Sequence, residues 1–495
     1  MPSARSPPRA RRAVSSAAAA TIDGLVELVE RARLSHKLED MRRWCDTNGA
    51  VSVDEINDAT LVQKLADEVG LKELERKRLK EALVARSETQ AAVQSRAIAN
   101  QLAGASPPTA TSDPTLTAIS PASGIPELIT ALQTGSDAQK EEAARALRSL
   151  AASKETQIAI ARAGGIEPLV TLVQSGKDGQ KEWAAGALCN LAIHKENKIA
   201  IARAGGIAPL VALVQSGNDG QKEQAAAALR KLAVNEDNQI AIARAGGIPP
   251  LVTLVNSGNE GQKEWAAGAL CSLAVNDDNT IAIARAGGIA PLVALVHSGN
   301  DVQKEWATRA LQNLAVNKEN KVAIAHEGGI APLVALVHSG NDVQKEKAAI
   351  ALQNLALNMD NKLAIAIAGG IPPLVALVQS GNGGQKEEAA AALRILAVND
   401  NNKIAIARAG GISPLVTLVQ SGNDSQKEAA TRALQNLSVN DDNKIAIARE
   451  GGIAPLVALV QSGNNSQKEK ATLVLQNLAK NEENRRMISS SGFEG

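Results

Sequence analysis

The chain has 495 residues and a formal net charge of +1, so no global field draws it to nucleic acid or to an anionic membrane. One Phe, four Trp and no Tyr make up its aromatic content, which excludes a conventional aromatic-rich core and points to close-packed helices cored by Ala, Leu, Ile and Val. Its three cysteines, Cys45, Cys189 and Cys271, are odd in number and lack CxxC spacing, so they support neither a disulfide framework nor a zinc site; a reducing, cytoplasmic setting is expected, with the nucleus also open to the chain.

Residues 1–20, "MPSARSPPRARRAVSSAAAA", carry four Arg and no acid and read as a disordered basic tail; the early prolines argue against an amphipathic transit helix. Residues 21–101 have helical patterning and a composition of their own. Residues 102–122 are rich in Pro, Ser, Thr and Ala with a single charge, which is the composition of a linker. No run of 18 apolar residues occurs, so no transmembrane helix is expected.

From residue 123 the sequence is periodic. A Gly-Gly pair before Ile recurs at Gly164, Gly205, Gly246, Gly287, Gly328, Gly369, Gly410 and Gly451, each 41 residues after the last, and nine units fill residues 124–492. Self-similarity at this period is the mark of a solenoid. Each unit reads as three helices. A short first helix, "NKIAIARAG" at Asn197–Gly205, closes on the glycine pair, where a left-handed residue can end a helix. A second helix opens at "IAPLVALV" with Pro209 in its first turn and ends at Ser216-Gly217. A third runs from about Gln221 to Val234. The pairs Ser425/Glu428 and Ser466/Glu469 read as capping boxes for the last two third helices, with weaker start signals in the other units. At 100° per residue Ala184, Ala187, Leu188 and Leu191 share the face expected to pack inside. One unit would leave that stripe half exposed, and stacking buries it.

The unit "NKIAIARAGGIAPLVALVQSGNDGQKE" resembles the armadillo repeat in length, helix order and motif over about three quarters of the chain. HEAT repeats lack the short first helix ending in Gly-Gly. The resemblance implies an all-α, right-handed superhelical solenoid of nine units after a small helical domain. It further implies a concave groove lined by third helices that binds extended peptides as a non-catalytic scaffold or adaptor. The segment "LEDMRRWCDTNGA", with Trp44, followed by "LVQKLADEVGLKELERKRLKEAL", resembles a SAM domain, which implies self-association through residues 21–101; an unrelated helical bundle is the competing reading.

On the third helix, Trp183, Gly186 and Asn190 form a stripe beside the core face, and the resemblance places it on the groove. The first slot holds Trp183, Trp265, Trp306 and Lys347 among others, and the second includes Arg309 and Arg432. The third includes Asn190, Lys231, Asn313, Asn354, Asn436 and Asn477. These slots vary from unit to unit while neighbouring core positions repeat, as a binding surface on a repeated frame should. An Asn amide offers a donor and an acceptor to an extended backbone; the competing reading is that it bonds neighbouring helices. The Trp rings either clamp peptide side chains or fill gaps between third helices. Trp265 and Trp306, in adjacent units, are expected about 10 Å apart. The nuclear-import adaptors place Trp four residues before Asn. Here that position holds Gly186, Gly268 or Arg309, and pocket shape does not carry over.

The stripe contains Arg145, Lys231, Arg309, Lys347, Arg432 and Lys470 against Glu142 and Glu388, a local positive bias that favours acidic, partly apolar peptides. Two alternatives are an importin-α-type adaptor for basic cargo and a substrate-receptor subunit of a ubiquitin ligase. Sparse cations and few aromatics disfavour RNA. His297 and His338, isolated from other ligand types, read as solvent-facing, and no nucleophile–base, metal or cofactor motif stands out. The "QKE" triplet is read as helix-start chemistry and solvated charge, and Cys189 and Cys271 as ordinary variation in a slot otherwise filled by Arg or Gln, with a mildly reactive surface thiol as the alternative.

Overall fold

The computed structural model describes residues 124–492 continuously and ten positions between 34 and 79. Two compact units divide between Thr117 and Ala118. In the first, Leu34, Met41, Leu65 and Leu79 are fully buried, and Lys37 Nζ donates to the Val69 carbonyl at 3.1 Å. The basic tail, the linker and the features of the SAM-like resemblance, Trp44 included, otherwise lie outside the described residues.

The second unit is helical throughout its described residues, with no strand among them. A nine-residue first helix, a ten-residue second and a fourteen-residue third recur, as in Lys195–Arg203, Ile207–Ser216 and Asp219–Leu232. The series opens on a second helix, Ile125–Thr134, and closes on a first helix, Glu482–Ser490.

The glycine pair makes the corner between first and second helices, which meet at 82° in the unit of Gly205 and Gly206. Gly205 takes φ 76°, where a side chain would be strained. Gly206 N–H bonds the Ile201 carbonyl at 2.9 Å and Gly205 N–H that of Ala202 at 3.0 Å, the two bonds of a Schellman closure. Gly206 is needed for a different reason. A Cβ there would lie 2.8 Å from Ile201 Cγ2 and 3.1 Å from Val170 Cγ2 of the preceding unit.

Helix starts differ from the sequence expectation. The first helix begins at Lys195, two residues before Asn197, and the third at Asp219, two before Gln221. Third helices are capped by Asn, or Ser136 in the first unit, at the position before the helix: Asn218 Oδ1 accepts from Gln221 N–H at 2.9 Å, and Gln221 Oε1 accepts from Asn218 N–H at 3.1 Å. The box is therefore Asn-x-x-Gln. Ser425 and Ser466 lie inside their helices, because a capping side chain must stand before the first turn to reach its free N–H groups. Lys177 has no side-chain acceptor, so only the return bond from Lys177 N–H to Gln180 Oε1 forms, at 3.0 Å.

The core stripe is as expected: Ala184, Ala187, Leu188 and Leu191 are fully buried, with Leu210 and Ile201 completing the layer from the other two helices. Alanines let third helices approach closely, and successive third helices pack on one another more intimately than second or first helices do. The third helices thus form the most closely packed layer of the stack, the layer that the resemblance puts on the groove. Two ladders of buried amides fix the register of the stack. Gln221 Nε2 donates to the Asp178 carbonyl at 3.0 Å and to its carboxylate at 3.1 Å. Asn361 Nδ2 donates to the Lys321 carbonyl of the preceding unit at 3.0 Å and to Leu355 of its own at 3.2 Å. A buried amide left without these partners would cost about 1–3 kcal/mol, so a slipped stack is disfavoured at every unit.

Candidate functional site

The positions expected on the groove are half-buried: Trp183, Asn190, Lys231, Trp265, Trp306, Arg309, Asn313, Lys347, Asn354, Arg432, Asn436 and Asn477 all stand between core and solvent. The Trp rings rest partly on the core, and each has an arginine over its face. The Arg145 and Arg148 guanidinia lie 4.8 and 5.1 Å from the Trp183 ring centroid. The Arg230 guanidinium lies 5.3 Å from Trp265 and 4.1 Å from Trp306, with Arg309 at 5.3 Å from Trp306.

The gap between Trp265 and Trp306 is thus occupied. Arg230 comes from the third helix Asp219–Leu232 and crosses the intervening helix Glu260–Leu273 to reach Trp306. It crosses at Gly268, where a Cβ would lie 2.7 Å from Arg230 Cδ and 2.9 Å from Nε. Arg148 crosses at Gly186 in the same way, at 2.8 and 2.9 Å. Ala227 fills the same slot where the preceding unit offers Cys189 in place of Arg. The groove glycines are passages for arginines.

The sequence reading, ordinary variation at this slot, misses those arginines. A signal was present: Arg148 and Arg230 are each followed, in the next unit, by the two glycines of the second groove slot. Cys189 and Cys271 alternate with them, and both are buried rather than at the surface. Burial pushes each thiol up to about 11, which leaves them protonated and unreactive near neutral pH.

The positive bias also needs correction. The Glu of "QKE" pairs with groove cations: Arg309 with Glu305 at 2.9 Å, Lys347 with Glu346 at 2.6 Å, and Arg432 with Glu428 at 2.7 Å. The i−4 carboxylate takes an Nη of Arg309 and of Arg432 and leaves their buried Nε atoms without a partner. Among the described residues Arg148, Arg230, Arg394 and Lys231 have no ion pair and no side-chain hydrogen bond. Burial disfavours the charge on Arg230, chiefly by stripping water from it. Stacking covers the face of a guanidinium and leaves the N–H edge free.

The asparagines each spend a donor on a neighbouring unit. Nδ2 of Asn190, Asn313, Asn354 and Asn436 bonds a carbonyl of the preceding third helix, of Arg148, Cys271, Gln312 and Arg394, at 2.9, 3.1, 3.1 and 2.8 Å. Each of those carbonyls lies in a last helical turn, which lacks an intrahelical partner. Asn477 bonds Ser438 Oγ at 3.2 Å and accepts from Lys480 at 3.1 Å. One of the two Nδ2 N–H groups of each of the first four is thus spent on the neighbouring helix, which leaves Oδ1 and, in Asn190, Asn354 and Asn436, a second N–H for a ligand backbone. His297 and His338 are exposed, as read from the sequence.

The repeat model "Armadillo/beta-catenin-like repeat" matches residues 153–193 and each following block through 440–480, eight contiguous repeats. The chain belongs to this family. Its armadillo frame starts at the first helix, so the nine 41-residue units become eight complete repeats, flanked by the second- and third-helix pair of residues 125–150 and the first helix of 482–490. Armadillo solenoids are in general protein-interaction scaffolds. The crystal structure of an engineered protein aligns at 34% identity and TM-score 0.71 over 74% of this chain and 92% of that one. A second engineered protein aligns at 34% identity and TM-score 0.45 over 47% of this chain and 96% of its own. No curated protein matches the chain.

Proposed function

We propose that the armadillo solenoid is a non-catalytic scaffold whose groove holds an extended, acidic peptide segment of a partner protein. The observation that carries this is the pair Arg148 and Arg230. Both guanidinia lie against Trp faces, neither has a carboxylate partner, and both keep their N–H edges for a ligand. A preorganised, partly desolvated guanidinium binds carboxylate by charge-assisted, bidentate hydrogen bonds. The Oδ1 atoms of Asn190, Asn313 and Asn354 supply acceptors for the N–H groups of an extended backbone. An importin-α-type role is disfavoured on the same ground, because Trp faces that would hold the cations of a basic cargo already hold the chain's own arginines. The ligase-receptor alternative draws support from no feature of the groove.

The test is fluorescence anisotropy with labelled extended peptides of acidic, neutral and basic composition against the full chain. Acidic peptides should bind, more weakly as salt rises, and Arg230→Ala should weaken them at least about thirtyfold if it removes a hot-spot contact of about 2 kcal/mol. Tighter binding of the basic peptides would overturn the proposal in favour of the transport reading.

A further inference from the structure

Along the solenoid an arginine recurs at the slot of Arg148 and Arg230, and its third occurrence, Arg394, has different surroundings. No glycine follows it. The second slot of the next unit holds Arg432, so Arg394 has no passage forward, and the first slots beyond hold Ala429 and Lys470 rather than Trp. The chain here opens a cavity of about 230 Å³ among three successive third helices, lined by Arg394, Arg432, Gln435, Asn436 and Lys470.

We propose that this cavity is an anion subsite of the groove that takes a phosphorylated side chain of the bound peptide, an assignment that rests on the extended-peptide reading above.

Two of the lining donors are unspent. Arg394 makes no ion pair or side-chain hydrogen bond, and Gln435 makes no side-chain hydrogen bond. Arg432 gives one Nη to Glu428 at 2.7 Å and touches Ser466 Oγ at 3.5 Å, but its buried Nε has no partner. Lys470 pairs with its neighbour Glu469 at 2.7 Å, whose carboxylate is largely exposed and free to swing away. Asn436 Nδ2 is committed to the Arg394 carbonyl, which fixes the register of the two helices under the cavity. Burial, and then the charge of Arg432, work against the charge on Arg394, with Glu428 only partly offsetting them. An anion between the two guanidinia would relieve both.

Stereochemistry selects phosphate over carboxylate. The Arg394 fork can satisfy two oxygens, and a carboxylate has no others to offer. A phosphoryl group presents a third oxygen, which the Lys470 ammonium and the Gln435 amide of the same lining can meet. The stacked arginines of the first units, with one guanidinium edge each, suit the carboxylates of the same peptide.

The experiment uses the full chain and one acidic peptide in three versions carrying Ser, phosphoserine or Glu at a single position, read by anisotropy. Phosphoserine should bind at least about tenfold tighter than either other version. Arg394→Lys, which keeps the charge and loses the fork, should weaken the phosphoserine peptide at least about tenfold and so remove its preference over Ser, while leaving the Ser peptide's affinity within about twofold. Equal binding of the phosphoserine and Glu peptides would overturn the subsite and leave the acidic-peptide reading intact. If no peptide binds, the groove reading fails, and inorganic phosphate decides the cavity: a rise in Tm that Arg394→Ala removes would keep an anion site, and no rise would overturn it. Competition by inorganic phosphate as effective as that by the phosphopeptide would overturn the assignment to a peptide side chain.

Discussion

Gly268→Ala offers a test of the arginine passage in which two well-known effects oppose one another. Gly268 lies inside the helix Glu260–Leu273, where alanine is the better helix former by about 0.8–1.0 kcal/mol. An added methyl would stand 2.7 Å from Arg230 Cδ and 2.9 Å from Nε, so the arginine must leave its path. It would then lose its stacks on Trp306 at 4.1 Å and Trp265 at 5.3 Å. Each cation–π contact contributes about 0.5–1 kcal/mol when exposed and about 2 when desolvated, so two at a half-buried site amount to about 1–3 kcal/mol. The substitution alone should therefore be neutral or destabilise by up to about 2 kcal/mol. In an Arg230→Ala background nothing is displaced, and it should stabilise by the full helix-propensity gain of about 1 kcal/mol. Urea denaturation of the four proteins of this cycle, followed by far-UV circular dichroism and compared only where the slopes agree, measures a coupling of about 1–3 kcal/mol. Equal stabilisation by Gly268→Ala in both backgrounds would refute the passage, and with it the reading of Trp265 and Trp306 as an arginine clamp.

Further predictions concern charge, register and architecture. Burial, then Glu387 and Glu346, raise the pKa of Glu388. The folded state then holds its proton to higher pH than the unfolded chain does, and stability falls as pH rises from the ordinary carboxylate value through the raised one. Glu388→Gln should raise Tm at neutral pH and make no difference at acid pH; a pH-independent difference in thermal melts would count against this. Asn361→Ala, which removes two buried amide–carbonyl hydrogen bonds, should cost about 2 kcal/mol in denaturant titrations, and Asn354→Ala, which removes one at the half-buried groove edge, about 1; equal losses would contradict the ladder argument. Deleting residues 247–287, one whole period, should leave a cooperatively folding shorter solenoid, whereas deleting 20 residues from the same place should not, as melting curves of the two would reveal.

The 41-residue period, the three helices per unit and the apolar stripe of Ala184, Ala187, Leu188 and Leu191 are determined by sequence alone, because each is a local property that repeats. Glycine at the corner is equally legible, since a left-handed residue has few other occupants. Helix starts were less so. Asn218 and Gln221 make a capping box, but the Ser-x-x-Glu spelling at Ser425 drew attention two residues too late.

The groove stripe was legible as positions and not as interactions. Periodicity tells which side chains share a face. It does not tell how far a side chain travels across its neighbours, and an arginine is long enough to reach beyond the next unit. That reach decided that Arg230 fills the gap between Trp265 and Trp306 and that Gly186 and Gly268 are passages; the pairs Glu305–Arg309 and Glu428–Arg432, four residues apart on one helix, were legible in the spacing. Reach across units also decided that the asparagine donors close the ends of neighbouring helices. A repeat sequence specifies each unit from within; the contacts between units belong to the stack, and where the long groove arginines come to rest is decided only once the units are assembled.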